Sequence, residues 1–154
     1  MPLRPDIFLL LTDQQSTWTV GGYAARSHET AHEEHGTPTL KTPSIDSLAG
    51  RGVLLQSFVV SAAWCVPSRG SLLTGHFPSN HGAGIQRAWL APGTTTIAHR
   101  LASAGYATTY LGKYHLSEGR LPEGFLPRGT GGFDNTRSMF GSLHVRCTLR
   151  ILTV

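Results

Sequence analysis

Hydrophobic positions fall into two rhythms along this chain. Residues 6–12, DIFLLLT, form an unbroken apolar run of strand length, the pattern of a central strand covered on both faces. Residues 53–60, VLLQSFVV, and 106–111, YATTYL, read as a second and a third strand. Elsewhere the spacing is helical. Thr42 and Pro43 open one helix as N-cap and first position, with Ile45, Leu48 and Ala49 on its inner face and Gly50 or Gly52 at its end. Pro67 begins another helix, which runs to Thr74-Gly75. Residues 94–104, TTTIAHRLASA, form a third, with Ile97, Leu101 and Ala104 on one side and Gly105 as its stop. Residues 13–40 and 76–93 are polar and rich in Gly, Pro or His, as loops are. Strand, helix, strand, helix, helix, strand is the order of an α/β layered domain. Near the end, Val145, Cys147, Leu149 and Ile151 alternate with Arg146, Thr148 and Arg150, a half-buried strand pattern. A strand needs neighbours, so the expectation is a truncated chain or an atypical tail over 142–154.

Composition supports a globular reading. The chain has 154 residues, 40% of them hydrophobic and 14% charged, which suffices for one modest core. The formal charge of +4 comes from scattered arginines; of 13 basic residues only Lys41 and Lys113 are lysine. With no basic run, nucleic acid is a poor partner and a small anion a better one. Cys65 and Cys147 do not make a disulfide framework. No stretch approaches a transmembrane span, and the N-terminal apolar run ends in an acid without a small-residue cleavage site. Neither a membrane nor a secretory leader is therefore expected, and a cytoplasmic location is.

The chemistry concentrates at Cys65-Val66-Pro67-Ser68-Arg69-Gly70-Ser71-Leu72-Leu73-Thr74-Gly75. A nucleophile just before a helix start faces free N–H groups and the positive end of the dipole. Arg69, one turn in, can direct its guanidinium back to the same spot and grip an oxyanion, while Leu72 and Leu73 anchor the helix. A lone cysteine in such a turn is more often simply buried. Here, however, the whole run resembles the type I sulfatase signature, C-x-P-S-R followed by small residues and T-G. Further segments resemble the same family in the same order. RPDIFLLLTDQQ resembles its first strand, which implies Asp13 and Gln14 as metal ligands; by itself Asp13 reads equally as a cap or turn residue. TPSIDSLAGRGVLLQSFVVSAAWC resembles the approach to the nucleophile. GYATTYLGKYHLSEG resembles G-Y-x-T-x-x-x-G-K-W-H-L-G, with Tyr114 where Trp is commoner, and GGFDNTRSMFG resembles a later G-F-D segment. Two residues apart in extended chain, Lys113 and His115 point the same way.

The resemblance implies an alkaline-phosphatase-like three-layer α/β sandwich, present here as its N-terminal part over 1–141. It implies that a formylglycine-generating enzyme oxidises Cys65, whose hydrate attacks a sulfate ester beside a divalent cation, usually calcium, held by Asp13, Gln14 and the modified Cys65. Arg69 and Lys113 would neutralise charge on the sulfuryl group, and His115 would assist proton transfers as the aldehyde is regenerated. A phosphonate monoester or phosphodiester hydrolase with the same modified cysteine is the alternative reading, and a non-catalytic fragment the other. Because further metal ligands of the family lie beyond the matched region, the chain by itself is expected to show little or no turnover.

One pattern competes. His28-Glu29-Thr30-Ala31-His32 fits H-E-x-x-H, and His35 follows at helical spacing, a zinc-protease arrangement. That motif needs a helix packed in a core, and ARSHETAHEEHG has no apolar stripe, so residues 28–40 read as a solvated loop insertion. His81 reads equally as pocket-lining or as a turn stabiliser.

Overall fold

A computed structural model describes residues 5–24, 40–117, 130–137 and 147–153. Residues 28–39 of the expected insertion, with the H-E-x-x-H pattern, lie outside them, as does the proposed boundary between 141 and 142. The chain divides into two compact units, one of residues 1–13 and 60–154, the other of residues 14–59.

The first unit holds a four-stranded mixed sheet: β1 (Ile7–Leu11), β2 (Tyr106–Leu111), β3 (Asn135–Arg137) and β4 (Cys147–Thr153). Their order is β1-β4-β2-β3, with β4 antiparallel to both neighbours and β2 parallel to β3. Leu9, Leu149 and Tyr110 lie in one row across it. Over 147–151 the alternation therefore marks a true strand, and β4 pairs with β1 and β2. Its place also corrects the reading of β1. Rather than being covered on both faces, β1 is the outermost strand among those described, with Phe8 55% and Leu10 65% exposed.

Helix α3 (Cys65–Thr74), the short α4 (Pro78–His81) and α5 (Ile97–Ser103) belong to this unit, with α5 against β2. Its core gathers Val66 and Leu73 of α3, Ala98 of α5, Tyr110 of β2, and Leu90, Tyr114, Leu116 and Phe133 from connections. Helix α5 ends as expected, at Gly105 with φ 83°. Its buried face differs: Thr96 is the N-cap, and the small Ala98 turns fully inward while Ile97 is 38% exposed. A second anchor lies beside it. Asp134 accepts from the Thr108 amide at 2.7 Å and its hydroxyl at 3.0 Å, so this carboxylate is bound into the strand layer.

The second unit contains α1 (Gly21–Ala24) and α2 (Pro43–Arg51). Thr42 and Pro43 start α2 as expected. The Thr42 hydroxyl, however, accepts from the Gly21 amide at 2.8 Å and donates to Asp46 at 2.9 Å, and so links two helices instead of capping one. Asp46 also takes the Gly22 amide at 2.8 Å. The expected inner face is not buried, since Ile45 and Leu48 are exposed. Nor do residues 53–60 form a strand; they run as turn and coil, with Val53 85% and Val59 84% exposed. Strand-like composition makes a strand only where a ladder partner exists, and none pairs with this segment among the described residues. The α/β character holds, in a small mixed sheet.

Candidate active site

Helix α3 begins with Trp64 as N-cap and places Cys65 at its first position, two residues before the Pro67 start read from the sequence. Pro67 is tolerated there because the first-turn N–H groups have no intrahelical acceptor anyway. The Val66 amide donates to Gln86 Oε1 at 3.3 Å, a side-chain cap from the next loop. The rest of the segment has local reasons. Gly70 faces the His81 ring, where a Cβ would come within 2.6 Å of Cε1. Thr74 donates to the Gly70 carbonyl at 2.7 Å, and Gly75 closes the helix at φ 73°. Leu73 is buried, but Leu72 is 40% exposed, so a single leucine anchors the helix.

His81 proves structural. Its Nδ1 accepts from the Ala83 amide at 3.1 Å, and its Nε2 lies 3.1 Å from Ser71 Oγ. The ring braces α3 from behind.

At the front, three distant parts of the sequence converge. Lys113 Nζ donates to Asp13 Oδ2 at 2.7 Å and lies 3.3 Å from Cys65 Sγ. The thiol is 3.8 Å from Asp13 Oδ1. The hydrogen bond from Lys113 holds the Asp13 carboxyl below the usual range, reinforced by the charges of Lys113 and Arg69 and opposed by burial. Arg69 is 5% exposed and less free than the sequence indicates. Its Nη1 donates to the Lys113 carbonyl at 2.7 Å and contacts the Tyr110 hydroxyl at 3.3 Å, so part of the fork holds the next segment.

Lys113 and His115 do not lie in the extended strand that the two-residue spacing assumes. Strand β2 ends at Leu111, Gly112 has φ 105° and His115 φ 61°. Between and after them Tyr114 and Leu116 turn inward, each at most 3% exposed. A positive φ at a non-glycine residue is costly and concentrates at functional sites; His115 and Gln14 (φ 52°) both adopt one. Burial lowers the His115 pKa from 6.5, helped by the charges of Lys113 and Arg69 and opposed by Asp13. Its imidazole is thus neutral at pH 7. Burial pushes the Tyr114 phenol up to about 12.

A hard divalent cation takes about six to eight oxygen ligands. Asp13 offers a carboxylate and Gln14, next in sequence and exposed, an amide oxygen; Cys65 offers oxygen only after oxidation. Among the described residues no group of three or more His, Cys, Asp or Glu could hold a metal. The donors suit calcium in kind but fall short in number. Sequence reasoning missed Tyr110 and Gln86. The signal for Tyr110 lay in β2, where it alternates inward with Thr108 and a buried phenol needs a polar partner.

A family model described as Sulfatase matches residues 5–142. The chain belongs to the sulfatase family. It is 36% identical over 130 residues to arylsulfatase A of Bos taurus, covering 80% of this chain and 23% of that protein. Steryl-sulfatase of Mus musculus is 32% identical over 126 residues, covering 75% of the chain and 18% of the relative. The ulvan-active sulfatase of Formosa agariphila is 32% identical over 139 residues, covering 90% and 25%. The chain thus spans between about a fifth and a quarter of the curated relatives it matches. No solved structure matches it significantly. Among the described residues of this sulfatase chain no helix is long and apolar enough to cross a membrane.

Proposed function

We propose that this chain carries the nucleophile-bearing part of a centre that hydrolyses sulfate esters, with Cys65 matured to formylglycine by a generating enzyme. The observation that supports it most is the Lys113 ammonium bridging Asp13 and Cys65 at 2.7 and 3.3 Å, at the start of a helix. When present, the hydrated formylglycine supplies an oxygen nucleophile at the Cys65 position. Asp13 and Gln14 are the residues of this stretch that would hold a calcium ion, with further ligands from elsewhere.

The chain's own groups divide the remaining work. Ionised Asp13 holds the Lys113 side chain in place. Lys113 Nζ, with the helix N-terminus behind Cys65, opposes negative charge on a sulfuryl group. Arg69 adds positive charge and fixes the Lys113 carbonyl. His115, neutral at pH 7, is fit to accept a proton at a ring nitrogen and return it. Preference for sulfur over phosphorus esters is the finer part of the reading. The protein carrying this sequence, matured with a formylglycine-generating enzyme, should turn over a chromogenic aryl sulfate faster than a phosphodiester or a phosphonate monoester. A clear preference for the phosphorus esters would overturn the assignment.

A further inference from the structure

We propose that Tyr110 is a positioning residue for Lys113: its buried phenol, with Arg69, pins the Lys113 carbonyl and so sets the ammonium between Asp13 and Cys65. The proposal rests on the placing of Lys113 in the site. The Tyr110 hydroxyl donates to the Lys113 carbonyl at 2.6 Å and accepts from Arg69 Nη1 at 3.3 Å, while Arg69 Nη1 donates to the same carbonyl at 2.7 Å. This triangle spans the turn from the end of β2 through Gly112, whose φ of 105° glycine alone adopts freely.

Tyr110 can act this way because it is itself immobile. It is 3% exposed, edge-on to Tyr114 at 5.5 Å and tilted against Phe133 at 5.1 Å. A lysine stem has several rotatable bonds, so a fixed carbonyl at its base narrows the positions its ammonium can reach. Arg69 by itself leaves the carbonyl one donor and one pivot; the phenol adds a second donor from the strand side. The Tyr110 hydroxyl bonds to the backbone of Lys113 and to Arg69, and so works through Lys113.

The test reads charge at Cys65 without needing turnover. Alkylation by anionic iodoacetate and by neutral iodoacetamide is followed at the Cys65 peptide by mass spectrometry. Both reagents consume the thiolate as iodide leaves, so their rate ratio cancels thiol ionisation and accessibility and reports the local field. Lys113→Met should lower the ratio by roughly three- to tenfold, as expected for one part-exposed unit charge. Tyr110→Phe, which keeps the ring packing, should lower it by about two- to fourfold because Arg69 still holds the carbonyl. The double variant should fall no further than Lys113→Met. Phe133→Leu loosens the same core without touching the carbonyl and should leave the ratio unchanged. If Tyr110→Phe leaves the ratio unchanged while Lys113→Met lowers it, the proposal fails and the site reading stands. An equal fall in Phe133→Leu and Tyr110→Phe would mean general loosening and would also overturn it. No effect of Lys113→Met would remove the site reading and the proposal together.

Discussion

Lys113 stands 100 positions along the chain from Asp13 and 48 from Cys65, yet its ammonium touches both. The residue-scale consequences follow from that one group. Lys113 and Arg69 add to burial in lowering the His115 pKa, so the imidazole signal in an NMR titration should have its midpoint below 6.5, and Lys113→Met should move it upward. A midpoint at or above 6.5 would contradict the placing of these charges. The sign for stability is fixed as well. The unfolded chain protonates first, so this histidine's contribution is intact above about 6.5 and declines as the pH falls from there toward the folded value. The ion pair itself is part-exposed, with Asp13 at 20% and Lys113 at 29%. Asp13→Asn should therefore cost less than about 1 kcal/mol in urea unfolding, and a loss of several kcal/mol would show that the pair is structural. These residues were legible in the sequence because their motifs carry them. What the motifs left out was connectivity: that Arg69 holds the Lys113 carbonyl depends on how α3 meets the end of β2, which no local pattern encodes.

Elements repeat that division. Helix α3 was legible from its apolar and small residues, whereas its Gly70 took its meaning from His81, eleven residues later. Gly70→Ala should destabilise by about 1–3 kcal/mol, because the overpacking against His81 exceeds the gain of up to about 1 kcal/mol in helix propensity. In α2, Gly50→Ala meets nothing within 4 Å and should stabilise by about 0.5–1 kcal/mol. Thermal unfolding of the two variants checks both, and a Gly70→Ala variant as stable as the parent would contradict the packing. The reading of 53–60 as a strand failed for a different reason. Its composition suits a pleat, but a strand is defined by its neighbours, and these come from elsewhere in the chain.

For the whole unit, the site depends on a sheet whose strands come from both ends of the sequence. Strand β4 lies between β1 and β2, and Asp13 follows β1 by two residues. Leu149, opposite both Leu9 and Tyr110, is therefore a point of failure. Leu149→Pro removes an amide from a strand paired on both sides. It should abolish hydrogen-exchange protection of Ile7–Leu11 while leaving the α3 amides protected; retained protection in β1 would show that β4 does not hold it. The α/β class could be read from the mixture of strand-like and helical segments, although the expected strand at 53–60 does not form. The antiparallel entry of β4 could not, since alternation marks a strand without naming its partner. All these scales serve one claim, that Cys65 is the position of a formylglycine nucleophile. Mass spectrometry of the Cys65 peptide, after co-expression with a formylglycine-generating enzyme, tests it most directly. The account predicts the aldehyde at residue 65; an unmodified cysteine there, while the same enzyme converts a known substrate, would contradict it.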